Sequence, residues 1–262
     1  MKVIYSIFFL SIFSFCTAQN FELKDSMVIS NQTVKTIDTD LNNSIYLISD
    51  SKIEKKFATN KQNRIIDLKN ILLTVDTSNP LRLYAYTNFN KLNILDENLS
   101  QIQDPIKFNT TDYIPIALRV IDNQFCWFYD MIENKLIQYN YQMQKTILTS
   151  KQIFLKNNDQ SIEKIYSYRN FVYLKSQNTI YVYDDYANFK YAVDLNTNNS
   201  PYYFYKDSIF YIDNHRLINK NITSKISTPY LELKNTKSIA FNESYFYHFH
   251  DSTLSIYTIQ QP

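Results

Sequence analysis

Glycine does not occur anywhere in the 262 residues. An average chain carries roughly 7% of it, and its absence excludes the loops in which a backbone must pass close to a phosphate or turn without a side chain: GxxxxGK[ST], GxGxxG and the GxSxG nucleophile elbow. Collagen repeats and Gly-rich linkers go with them. An excess of one charge is missing too. The 27 Lys and Arg residues nearly balance 25 Asp and Glu, and a net charge of +2 is too small to draw the chain to nucleic acid or to an anionic membrane surface. No apolar run reaches the roughly 20 residues that span a bilayer, so no stable membrane insertion is expected. What the chain does have is 23 Tyr and 18 Phe in a composition that is 45% hydrophobic and 20% charged, enough to bury a core without disulfides.

Residues 1–18 read as processing information. Lys2 supplies a minimal positive start, residues 3–15 are apolar apart from Ser6, Ser11 and Ser14, and Cys16-Thr17-Ala18 has the small-x-small pattern that signal peptidase requires. Cleavage after Ala18 is expected, leaving residues 19–262 as one domain in the periplasm or outside the cell. A lipoprotein anchored through Cys16 is the alternative, against which Phe15 is bulky for the position before a lipidated cysteine. Without Cys16, Cys126 has no disulfide partner in the chain. Set in Phe125-Cys126-Trp127-Phe128-Tyr129, it reads as an inert buried thiol.

Tyr, Phe, Ile, Val and Thr gather in short runs of period two, separated by Asn and Asp clusters, and no long stretch keeps a 3.6-residue apolar period. The chain is therefore expected to be all-β, with Asn in the left-handed turn positions that glycine would otherwise hold. An aromatic anchor recurs at Tyr46, Tyr84, Trp127, Tyr173, Tyr211 and Tyr247, at steps of 38, 43, 46, 38 and 36 residues. After each anchor a polar turn leads to a second strand bearing Leu or Ile, as in Leu92-Asn93-Ile94-Leu95 and Ile180-Tyr181-Val182-Tyr183. A period near 40 is the length of a four-stranded propeller blade, so the spacing predicts a single six-bladed β-propeller of four-stranded antiparallel blades. The last unit has only three strands, near 237–241, 245–250 and 253–259, while residues 21–30 hold a strand to spare. That N-terminal strand is expected to close the last blade and hide its edge. A pair of β-sandwiches is the alternative fold, but it demands no anchor every 40 residues. The anchors, Trp127 included, read as packing between blades rather than as ligand platforms.

The stretch Val75-Asp76-Thr77-Ser78-Asn79-Pro80-Leu81-Arg82-Leu83, continuing through Asn88-Phe89-Asn90 to Leu95-Asp96-Glu97-Asn98-Leu99, resembles the second-blade signature of a group of exported β-propeller proteins of flavobacteria, to which no activity is assigned. Residues 124–130, with Trp127, resemble their next blade, and the short final strand before Pro262 is similar as well. The resemblance implies a six-bladed fold of the WD40-like or TolB-like kind and carries over no catalytic residue.

A propeller fold by itself selects no activity. The S-x-D-x-G-x-[TS]-W boxes of sialidase-like propellers need glycine, tryptophan-docked quinoprotein repeats need more than one Trp, and WD and kelch signatures are absent. One constellation has a chemical flavour, His248-Phe249-His250-Asp251. Residues i and i+2 of a strand share a face, so His248 and His250 are candidate binding residues with Asp251 beside them; the alternative is an ordinary exposed strand face. No catalytic residue, cofactor or metal is assigned. Asp25-Ser26-Met27, Asp207-Ser208-Ile209 and Asp251-Ser252-Thr253 each match a short O-glycosylation acceptor pattern. Two functional readings follow. One is a monomeric, non-enzymatic exported scaffold that binds a protein or cell-envelope component through tyrosine-rich surfaces. The other is a periplasmic hydrolase or lyase with a carboxylate/His site at the channel mouth, which the convergence of three or more acidic or His side chains at one mouth would favour.

Overall fold

The computed structural model describes residues 20–30, 33–58, 62–88, 90–108, 112–156, 159–195 and 200–260. The signal segment, its cleavage after Ala18 and Cys16 lie outside them. Every regular element among the described residues is a strand, and the strands form six four-stranded antiparallel sheets. These are the blades of a six-bladed β-propeller. Five of them are consecutive meanders; the sixth is completed by Asn20–Val28, which pairs antiparallel with Thr253–Gln260 from Asn20↔Gln260 to Val28↔Thr253. A register shift between Leu23 and Asp25 reverses the facing of that strand partway along. Phe21 consequently packs with the blade 5–blade 6 core and Met27 with the blade 6–blade 1 core.

The buried side chains fall into six clusters, one for each contact between neighbouring blades. Strands inside a blade are covered on both faces, and so the anchors and their neighbours are buried alike. Trp127, 3% exposed, lies between blades 3 and 4, while Cys126 and Phe128 point the other way, between blades 2 and 3. Burial pushes the Cys126 thiol far above its usual range, which keeps it protonated and unreactive. The anchor of blade 5 needs correction. Tyr211 faces back toward blade 4, and it is Phe210 that faces forward into blade 6, as Tyr173 faces blade 5 and Tyr247 faces blade 1. Adjacent aromatics in a strand alternate faces, and the 37-residue steps from Tyr173 to Phe210 and from Phe210 to Tyr247 are the more even spacing.

Turns without glycine are built on Asx clamps. In blade 1 the Asp40 carboxylate Oδ1 accepts the backbone N–H groups of Asn42 and Ser44; Asp96 does so for Asn98 and Ser100, and Asp184 for Tyr186 and Asn188. The residue three after each Asp then takes a positive φ: Asn43, Leu99 and Ala187. Of the fourteen described residues with positive φ, five are Asn; Lys69, Gln144 and Lys225 are among the rest. Asn therefore takes the largest share but not the majority. For an L-residue this region costs about 1–2 kcal/mol, which the clamp and, for Leu99 and Ala187, side-chain burial offset.

Candidate functional site

The first strand of each blade lines a central channel. These strands are Thr36–Thr39, Leu72–Asn79, Pro115–Val120, Ile162–Tyr168, Tyr202–Tyr205 and Thr236–Phe241. Their register against the second strands places one residue opposite each anchor: Asp38↔Tyr46, Asp76↔Tyr84, Arg119↔Trp127, Tyr166↔Tyr173, Tyr203↔Phe210 and Ala240↔Tyr247. Five polar groups thus sit at one level around the axis. They join one another across blades. The Tyr203 hydroxyl donates to Asp38 Oδ1 at 2.8 Å, Arg119 Nη1 meets Asp76 Oδ1 at 2.6 Å, and the Arg119 guanidinium lies 5.6 Å from the centre of the Tyr166 ring.

This layer divides the channel into two cavities that share Asp38, Thr74, Val75, Lys164 and Tyr203 in their walls. The one at the C-terminal ends of the inner strands has a volume of about 230 Å³ and includes Asp76, Arg119, Tyr166, Lys206 and Glu243. The other, of about 440 Å³, opens past Lys35, Asp50, Glu163 and Tyr202. Burial pushes the Asp38 carboxyl above the usual carboxylate range, opposed by the charge of Lys164 and by hydrogen bonds from Tyr203 and the Thr39 N–H. Burial first, and the Asp38 charge second, hold the Tyr203 phenol protonated far beyond neutral pH. The Tyr166 hydroxyl is pushed up to about 12, mainly by burial. Arg119 Nε is buried without a hydrogen-bond partner among the described residues.

Four carboxylates line the smaller cavity, and three of them have a cation within 4.0 Å. Asp40 is clamped by its turn, accepts the Tyr46 hydroxyl at 2.8 Å and lies 3.4 Å from Lys55 in a fully covered pair. Asp76 Oδ1 accepts both the N–H and the hydroxyl of Ser78 as well as Arg119. Glu243 lies 4.0 Å from Lys206. The number of acidic groups at this mouth meets the condition for a catalytic reading; Asp40 and Asp76 are held in covered ion pairs, whereas the Lys206–Glu243 pair is exposed.

The His pair lies on the second strand of blade 6, one strand back from the channel. His248 and His250 come together, ring centroids 4.5 Å apart. The sequence left an exposed strand face as one alternative; instead His248 is 3% exposed, its Nε2 hydrogen-bonded to the Thr236 hydroxyl at 2.9 Å. Burial lowers its pKa to about 4, with the His250 ring as a second cause. His250 Nε2 meets the Ser255 hydroxyl at 3.1 Å, and Asp251 sits in the exposed turn, 3.7 Å from His250 Nδ1. Among the described residues no group of three His, Cys, Asp or Glu is placed to hold a metal. Of the three O-glycosylation-like serines, Ser208 is buried while Ser26 and Ser252 are exposed.

Sequence reasoning missed the channel layer. Its signal was a polar residue seven or eight positions before five of the six anchors, as in Thr36-Ile37-Asp38-Thr39, Thr74-Val75-Asp76-Thr77 and Ala117-Leu118-Arg119-Val120. Two of these share the pattern Thr-aliphatic-Asp-Thr.

No family model matches the sequence, and no curated protein does. Solved structures share the fold. A chain of the Mitotic Checkpoint Complex superposes with a TM-score of 0.61 at 8% identity, covering 100% of this chain and 99% of that one. BamB from Moraxella catarrhalis gives 0.56 at 9% identity over 92% and 100%. Virginiamycin B lyase from Staphylococcus aureus gives 0.62 at 11% identity over 92% and 100%. At such identities the likeness shows the propeller architecture alone.

Proposed function

We propose that this chain is an exported, non-catalytic binding propeller that holds a protein or cell-envelope component at the Arg119 end of its channel. The observation that carries the reading is that two of that mouth's carboxylates are closed into covered ion pairs, Asp40 with Lys55 and Asp76 with Arg119, which arranges the site for hydrogen bonding. Export is supported by the residues 1–18 pattern, and N-terminal mass spectrometry of the protein from its own cells is expected to find Gln19 first; an intact Met1 or an acylated Cys16 refutes cleavage after Ala18. Binding is tested by co-sedimentation of the purified protein with envelope fractions. Arg119→Gln is expected to abolish retention, and steady release of products from the envelope material would overturn the non-catalytic reading.

The fold admits a catalytic reading too, since one structural neighbour is named a lyase. Asp38 favours it: a buried carboxyl raised above its usual range is the one acid here suited to donate a proton. A hydrolase or lyase of this kind would lose turnover in Asp38→Asn while keeping its ligand.

A further inference from the structure

We propose that the cavity at the Arg119 end takes a single ring of a neutral sugar, a hexose-sized polyhydroxylated ligand. This rests on the binding reading and specifies the chemistry of its ligand. Charge comes first. The walls carry Asp38, Asp40, Asp76 and Glu243 against Arg119, Lys164 and Lys206, with Lys55 behind Asp40, so the two signs balance. An ion of either sign entering the cavity would gain one set of contacts and be repelled by the other. A zwitterion would have to break the Arg119–Asp76 pair, which is already closed at 2.6 Å.

Unused hydrogen-bonding capacity is what remains. On the donor side, Lys164 interacts with Asp38 through its charge, and Lys206 Nζ stands 4.0 Å from Glu243, beyond hydrogen-bond reach. On the acceptor side, Asp76 uses Oδ1 for Ser78 and Arg119, which leaves its Oδ2, while Asp38 uses Oδ1 for Thr39 and Tyr203 and interacts with the Thr77 hydroxyl as well. Open donors interleaved with open acceptors match hydroxyl groups, each of which donates once and accepts twice. Size agrees. A volume of about 230 Å³ holds several water molecules and is smaller than the ~300 Å³ at which drug-sized sites begin. Sugar hydroxyls can replace such waters while reproducing their hydrogen bonds.

The mature protein, residues 19–262, is titrated calorimetrically with glucose, galactose, mannose and N-acetylglucosamine, and separately with acetate, inorganic phosphate and free glycine. At least one of the four neutral sugars is expected to bind, and to bind about tenfold more weakly in Asp76→Asn and in Lys164→Gln. Ile226→Ser, on the exposed rim of blade 5, is expected to leave binding unchanged. Lys164 makes no short ion pair among the described residues, so Lys164→Gln decides the matter should Asp76→Asn fail to fold. Folded protein that binds none of the sugars, that binds only a charged probe, or whose sugar affinity ignores both channel substitutions overturns the inference. Saturable cleavage of p-nitrophenyl glycosides would overturn the non-catalytic reading instead. Envelope retention that needs Arg119 but is untouched by free sugars would leave that reading standing and sink only the sugar.

Discussion

Acid is expected to loosen the contact between blades 5 and 6 through His248. This imidazole shares a strand face with Phe246, whose ring packs with Phe210 and Phe241 at that contact, and burial lowers its pKa from 6.5 to about 4. The unfolded chain therefore takes up a proton at His248 as pH falls below 6.5, whereas the folded chain takes it up only near pH 4. Between those values the unfolded state binds more protons, so stability falls as pH falls, by about 1.4 kcal/mol per pH unit in mid-window. From pH 7.5 to 4.5 the loss from this one group is about 2.5 kcal/mol, a large fraction of a domain's ~5–15 kcal/mol. Urea unfolding at the two pH values reads it, as a drop in midpoint of roughly 1 M for a slope of 2–3 kcal/mol per M. Comparison with His248→Gln isolates the group from all others that titrate. The substitution costs some stability at pH 7.5, but its further loss on acidification should be smaller by about 2.5 kcal/mol. Equal pH dependence in the two proteins would refute the assignment of a neutral, buried His248.

Removal of residues 20–30 strips the closing strand with its Phe21, Met27 and Ile29 contacts; at ~1.5–3 kcal/mol for each buried side chain the truncated protein is expected to aggregate or melt many degrees lower, and unchanged melting disproves the closure. Trp127→Ala should cost roughly 3–5 kcal/mol in chemical denaturation, and Trp127 fluorescence typical of a water-exposed ring would contradict its place between blades 3 and 4. Lys69→Gly and Lys225→Gly, at exposed positive-φ turns, should each raise stability by up to about 1 kcal/mol; a loss in both would mean that these turns are not strained.

The period of the fold was legible because every blade spends one aromatic on its forward neighbour, and an anchor every 40 residues survives in sequence whatever the loops do. Blade 5 was misread by one position because Phe210 and Tyr211 are adjacent aromatics, and only the neighbouring blades decide which of them points forward. His248 illustrates a deeper difficulty. Alternation separates buried from exposed residues only where one face of a sheet meets water, and the middle strands of a blade are covered on both, as the burial of Phe246, Tyr247, His248 and Phe249 in succession shows. The channel layer was hidden for another reason. Asp38, Asp76 and Arg119 each look like a lone charge in an apolar strand; their meaning arises from the ring, which brings residues 38 and 203 within 2.8 Å.

The closing strand sets a timetable for the newborn chain. Asn20–Val28 is made early, while its partner Thr253–Gln260 follows more than 200 residues later; at ~5–20 residues per second of synthesis the early segment waits on the order of 10 s or longer with its backbone unmatched. Glu22, Lys24, Asp25 and Ser26 in its middle are exposed even after pairing, and such residues keep a waiting strand from sticking to other chains. Ring closure thereby waits until Thr253–Gln260 has been made, and any step that must handle the chain while it is still open has that interval in which to act.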